Sequence, residues 1–209
     1  MPDKHAILSA SSSHRWLECP PSALLCSTVG DTPSEFAMQG TDAHSLCEHK
    51  LKTALGQQSK DPTENLSFFD EEMADCSDMY AQYVMEQLAA AKEKCKDPIV
   101  LIEQRLDFSK WVPQGFGTGD CVIVADETLT VIDFKYGVGI LVEAEKNPQM
   151  MCYALGALQL FDSIYDIDSV TMTIFQPRRD NVSTYTISKE ELLKWADEVL
   201  APTAQLAAK

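Results

Sequence analysis

Asp120, Asp133 and Lys135 are the side chains whose types and spacing do most to suggest chemistry. They lie in the run Gly117-Thr118-Gly119-Asp120 through Val131-Ile132-Asp133-Phe134-Lys135. If Asp126 and Glu127 form a two-residue hairpin loop, Ala125 faces Thr128, and the same register sets Asp120 across from Asp133. Two carboxylates ~5 Å apart on one sheet face repel unless something neutralises them, and a divalent cation is the natural neutraliser. Lys135, two residues beyond Asp133, projects to that face, while Ile132 and Phe134 point to the apolar side. This trio suits phosphodiester hydrolysis: Mg²⁺ or Mn²⁺ on hard carboxylate oxygens, with a lysine positioning water or offsetting charge. Two other outcomes stay open. A three-residue loop would turn Asp120 to the opposite face, and Asp-Xaa-Lys on an exposed strand is also what a solvated face looks like.

The elements that must hold these residues follow from the punctuation. Ser11-Ser12-Ser13 caps a short helix through about Cys19, interrupted by Pro20-Pro21. A second helix is expected from about Glu35 to Leu55, capped by Ser34 and stopped by Gly56. A third covers about Phe69 to Lys96, acidic at its start and lysine-rich at its end, as the helix dipole favours. Pro98 to Ile102, Cys121 to Ala125 and Leu129 to Ile132 read as three strands of a meander. Asn147-Pro148 caps a helix to about Phe161 whose apolar surface on nearly all sides predicts burial. Val170 to Phe175 and Val182 to Ile187 read as two more strands, and Ser188-Lys189-Glu190-Glu191 is a capping box opening a final helix through about Leu200. The expected fold is α/β, with a central mixed sheet flanked by helices. With no repeat and no long linker, a single domain over 1–209 is expected, helical over about 11–96 and α/β over about 98–209.

Composition constrains the partners. The chain has 209 residues, 17 Lys plus Arg against 32 Asp plus Glu, and a net charge of −15. A protein that coats nucleic acid by charge alone is thereby excluded. From Asp61 to Lys96 nine acids oppose three bases, so that helical region should face away from any DNA. A local basic lip would have to serve, and Arg15, Arg178 and Arg179 are the candidates. Seven cysteines is an odd number, without the close paired spacing of a structural zinc site, and they read as buried or incidental thiols. The opening Met1-Pro2-Asp3-Lys4-His5 has no secretory pattern, and Met150 to Phe161 is too short to span a bilayer. A reducing cytoplasm and no membrane association are expected.

Beyond these residue-level readings, the chain resembles the PD-(D/E)XK nuclease superfamily, in particular its RecB-like exonuclease branch. The resemblance rests on an ordered set: the serine segment from Ser11 ending in Cys19-Pro20, Gly40-Thr41-Asp42-Ala43-His44 with Glu48, Gly117 to Asp120, Asp133-Phe134-Lys135, and Gln149 with Tyr153. It spans about Ser11 to Tyr153 and is similar to an uncharacterised phage and prophage subgroup of that branch. The resemblance implies a restriction-endonuclease-like core. It implies Asp120 and Asp133 as metal ligands, Lys135 as the catalytic lysine, His44 as a further ligand, and the Phe134 carbonyl as another. Gln149 and Tyr153 would line the site; as i,i+4 neighbours they share one helical face, as do His44 and Glu48. Glu103 falls where related nucleases often carry an acid, though an edge-strand charge explains it equally well. Some members carry an iron–sulfur cluster on the early cysteine and three late ones. Here no cysteine follows Cys152, so no cluster is expected.

Together these imply a DNA nuclease dependent on Mg²⁺ or Mn²⁺, an exonuclease serving phage recombination or DNA processing in a bacterial host. A phage recombinase or single-strand annealing protein is the implied partner, and a homo-oligomer is compatible. The rival expectation is a non-enzymatic protein of the same fold whose acidic surface binds a recombination or host-defence protein. A weaker one is a metal-dependent hydrolase of small phosphorylated compounds.

Overall fold

The computed structural model describes residues 6–29 and 33–209; the opening five residues, on which the secretory reading rests, lie outside it. Helices α1 (Ser13–Glu18), α2 (Ser22–Ser27), α3 (Glu35–Ala54) and α4 (Glu71–Lys94) precede the strands β1 (Ile99–Asp107), β2 (Phe116–Ala125) and β3 (Glu127–Phe134). Helix α5 (Pro148–Phe161), strands β4 (Ile167–Gln176) and β5 (Asn181–Ser188), and helices α6 (Lys189–Trp195) and α7 (Ala201–Ala207) follow. The five strands form one sheet in chain order. All neighbours are antiparallel except β3 and β4, which run parallel because α5 carries the chain back between them. The fold is therefore α/β, a central mixed sheet with helices on both faces.

Several expected caps are present. The Ser34 side chain accepts from Ala37 N, and Asn147 from Gln149 N and Met150 N, while Asp70, not singled out from sequence, caps α4 through Met73 N. Ser188 and Glu191 complete the capping box. Two helical stretches exceed expectation. Pro21 starts α2 rather than ending helical structure. At the far end, a π-helical turn over Ala196–Leu200 carries the chain into α7. Pro202 cannot donate the amide bond an α-helix needs there, and the wider turn accommodates that loss.

Two apolar layers sandwich the sheet. On one face α5 is buried from Met150 to Leu158 and packs with Val122, Val124, Leu129, Val131, Met172 and Ile174, beside Trp16 and the C-terminal helices. On the other, α3 and α4 cover Cys121, Ile123, Ile132, Phe134 and Phe175. Cys47, Cys76, Cys95, Cys121 and Cys152 are buried, as expected of incidental thiols. Among the described residues no helix is long and apolar enough to cross a membrane.

Candidate metal centre

The two-residue hairpin reading is correct: Ala125 pairs with Thr128 and Cys121 with Ile132. The ladder stops there, one step short of Asp120 and Asp133. Asp133 continues on β4 opposite Ile174, and the Asp120 carboxylate takes the place of a ladder carbonyl, its Oδ2 accepting from Phe134 N at 2.7 Å. The two aspartates remain neighbours whose charges act on each other, each with its own set of side-chain contacts.

Asp120 joins His44 and Glu103. One ligand atom from each of the three lies within 4.8 Å of the others, and His44 Nδ1 is 3.3 Å from Asp120 Oδ1. His44 comes from α3, where its ring meets Phe134 edge-on at 5.5 Å. Glu103 arrives by a distortion. Ile102 pairs with Cys121 and Gln104 with Gly119, but the step between is unpaired, and Glu103 adopts a left-handed φ of 49°. This inverts the strand's alternation. Ile102 packs under α3 and α4, whereas Leu106, also even-numbered, packs under α5. A non-glycine residue in this conformation stores about 1–3 kcal/mol of strain that the surrounding fold must offset.

Asp133 forms the second group. It is almost fully buried, at 2% exposure, and its Oδ2 lies 2.7 Å from Lys135 Nζ without a well-directed hydrogen bond. Gln149 ties the group together. Its Oε1 accepts from Lys135 Nζ at 3.3 Å, and its Nε2 donates to Asp133 Oδ1 at 3.3 Å and to Tyr153 Oη at 3.2 Å. Asn147 aims Gln149 by capping α5. Gly117 leaves room for the tyrosine, since a Cβ there would stand 2.6 Å from the Tyr153 ring. The loop between Lys135 and α5 hangs on buried Gln176, whose Nε2 donates to the Gly137 and Ile140 carbonyls while its Oε1 accepts from Val142 N.

The charges interlock. Burial works against protonation of His44, but the Asp120 carboxylate outweighs it and raises the imidazole to about 9. Burial, then the neighbouring Asp120, lifts Glu103 to about 7. Burial likewise pushes Asp133 upward against the pull of Lys135. Lys135 is held charged by Asp133 in spite of its own burial. His44 and Lys135 thus supply two positive charges against two aspartates, the charge of one divalent cation.

The donor set fits such a cation. Two carboxylates and an imidazole, with a buried and poorly satisfied carboxylate oxygen alongside, offer hard ligands, and the one nitrogen favours Mn²⁺ over Mg²⁺. Of the residues singled out from sequence, His44 and Asp120 stand in this cluster, and Asp133, Lys135, Gln149 and Tyr153 form the group beside it. Phe134 touches the site through its amide, and its side chain lies in the core under α3 and α4. Glu103 completes the cluster in place of an edge charge. Glu48 is occupied in an ion pair with Lys52.

The proposed basic lip is only partly free. Arg178 pairs with Glu72 at 2.9 Å and lies over the Tyr136 ring. Arg179 and Arg15 are exposed, and Arg15 lines an open cavity with Ser9, Ser11 and Ser12. Arg105 did not stand out in the sequence. It projects from β1 with its guanidinium 3.7 Å above the Phe116 ring.

The solved structure of SSO0001 aligns over 90% of this chain and 84% of its own, at 12% identity and a TM-score of 0.24, too low to bear on the site. A family model described as "Protein of unknown function (DUF2800)" matches residues 5–209. That match takes in nearly the whole chain, and the chain belongs to the DUF2800 family.

Proposed function

We propose that this protein is a divalent-metal-dependent DNA nuclease of PD-(D/E)XK type, built as one domain on a restriction-endonuclease-like core and acting as an exonuclease in phage recombination or DNA processing. The observation that carries the reading is the His44, Glu103 and Asp120 cluster standing beside the Asp133–Lys135 pair. His44, Asp120, Asp133 and Lys135 are among the residues the sequence resemblance implies, and Glu103 joins them from β1.

His44, Glu103 and Asp120 would hold the cation, with Asp133 as the adjoining carboxylate. When bound, the metal supplies charge neutralisation at the phosphate and a more acidic water. The remaining work falls to the chain. Asp133, 2.7 Å from Lys135 Nζ, holds the ammonium in place, and Lys135 Nζ would offset negative charge developing on the phosphate oxygens. Gln149 holds both groups in register through its amide, and Tyr153 fixes Gln149 from below. Arg15 and Arg179 are the exposed cations available to a phosphate backbone.

Purified protein with Mn²⁺ or Mg²⁺ should shorten linear DNA, and Asp120→Asn or Lys135→Ala should abolish this while the far-ultraviolet circular dichroism is unchanged. Cutting that survives both substitutions would overturn the assignment. The net charge of −15 favours one alternative, a non-catalytic module that binds a recombination or host-defence protein through its acidic surface. Mn²⁺-dependent stabilisation with DNA left intact under all conditions would support it.

A further inference from the structure

We infer that the cavity beside Glu103 is a nucleotide-phosphate subsite with Arg105 as its anchor. The inference deepens the nuclease reading, because it concerns what lies next to the metal cluster. The cavity measures about 400 Å³ and is enclosed by three parts of the fold: the Ala6–Ser11 segment, the β1–β2 pair through Glu103, Arg105, Phe116 and Thr118, and Tyr153 from α5. It is thus bordered by one member of the metal cluster and one member of the Gln149 network.

Three observations give the cavity its chemistry. Arg105 makes no ion pair among the described residues, unlike Arg178. Of the two acids two residues away along the strand, Asp107 is engaged by Ser109 N and Glu103 belongs to the metal cluster. Arg105 is nevertheless positioned, because its guanidinium rests on the Phe116 ring at 3.7 Å. Stacking leaves the edge of the guanidinium plane, with its forked donors, open to an anion. Ser9, Ser11 and Thr118 add hydroxyls along the same walls. In a chain of net charge −15, an oriented and uncompensated arginine two residues from a metal-cluster carboxylate is an anion site, and the cavity is of a size for one nucleotide.

The subsite also has a continuation. Ala6, Ser9 and Ser11 line a second, more open cavity of about 640 Å³, which Arg15 borders. The Ser9–Ser11 turn therefore lies between Arg105 and Arg15, and the two cations mark a path for successive phosphates leading away from the cluster. This answers the charge objection locally, since a path of two arginines and several hydroxyls needs no basic surface elsewhere.

The test is calorimetric titration of the full chain with thymidine monophosphate, without and with Mn²⁺, for the wild type, Arg105→Ala and Arg105→Lys. Arg105→Ala should weaken binding about tenfold to a hundredfold, the range of a charge-assisted hydrogen-bonded pair. Arg105→Lys should recover only part, because lysine cannot reproduce the fork. Lys194→Ala, an exposed cation on α6 that does not line the cavity, should bind as the wild type does. No binding by the wild type at millimolar nucleotide, or equal binding by Arg105→Ala, overturns the subsite. DNA cleavage is scored separately: DNA cut with Arg105 irrelevant to nucleotide binding removes the subsite and spares the nuclease, whereas Arg105-dependent nucleotide binding with DNA uncut does the reverse.

Discussion

Glu103 and Asp120 meet at the break in the β1–β2 ladder. The paired steps on either side, Ile102 with Cys121 and Gln104 with Gly119, keep a common register, so the break adds no residue to either strand. What it does is turn Glu103 into a left-handed conformation and bring its carboxylate to the Asp120–His44 pair. A strained backbone and two crowded carboxylates at one point lower stability unless a ligand repays them.

Replacing Glu103 separates that cost from its benefit. Glycine adopts positive φ without penalty, so Glu103→Gly should melt at the same temperature as the metal-free wild type or about 2–4 °C higher, equivalent to about 1 kcal/mol. With saturating Mn²⁺ the wild type should gain on the order of 5 °C and the variant little or nothing. Differential scanning calorimetry with and without Mn²⁺ reads both. A metal-free variant that melts well below the wild type would mean that Glu103 is structural.

Metal uptake should release protons. His44 titrates at about 9 and Glu103 at about 7, and both must be deprotonated to act as ligands. Mn²⁺ affinity should therefore rise about tenfold per pH unit between 7 and 9, more steeply below 7, and level off above 9. In the metal-free protein the sign is opposite. Both values are raised, so His44 stabilises the fold fully below 6.5 and loses that contribution as pH climbs through about 9, and Glu103 does so below 4.5 and through about 7. Mn²⁺ titrations and melting curves across pH 6 to 9.5 check the two slopes.

Gly117 and Gly156 offer a matched pair of alanine substitutions. A Cβ on Gly117 would press on the Tyr153 ring at 2.6 Å, while one on Gly156 would meet Leu106 Cβ at 2.9 Å and the Leu106 carbonyl carbon at 3.1 Å. Gly117→Ala should displace Tyr153 and loosen Gln149, lowering the cleavage rate about tenfold with a modest loss of stability. Gly156→Ala meets backbone that cannot yield and should cost about 1–3 kcal/mol of stability. Adding Tyr153→Leu to Gly117→Ala should restore the melting temperature but not the rate.

Lys135→Met keeps the length of the side chain and removes its charge. Cleavage should fall by on the order of 10²-fold or more. Asp133 Oδ2 then faces no cation, and the fold should lose about 2 kcal/mol at neutral pH. Because burial already raises the Asp133 carboxyl, the deficit should shrink as pH falls toward its ordinary value of 3.8, where the group enters the fold neutral. Urea denaturation at pH 4.5 and 7.5 measures the difference.

Much of the frame was legible because it is locally encoded. Ser34, Asn147 and Ser188 cap helices through atoms within three residues of themselves, and the Asp126–Glu127 turn sets the β2–β3 register, with Glu127 at a left-handed φ of 65°. The helical excess at both ends was not legible, since a proline reads as a breaker until its neighbours show that it begins a helix or follows a wider turn. Nor was the membership of the cluster. The hairpin register set Asp120 across from Asp133, and no local signal announces that a glutamate will take a left-handed conformation in the middle of β1.

Residue types, their order along the chain and short-range hydrogen bonding determined by themselves the element sequence, the mixed α/β class, the β2–β3 register and the set of side chains able to do chemistry. Only the tertiary structure decided how those side chains divide: His44 and Glu103 with Asp120, and Gln149 and Tyr153 with Asp133 and Lys135. That division depends on where α3 and α5 cross the sheet and on one inverted step in β1. Both arise from packing between residues far apart in the chain, which periodicity within a single segment does not encode.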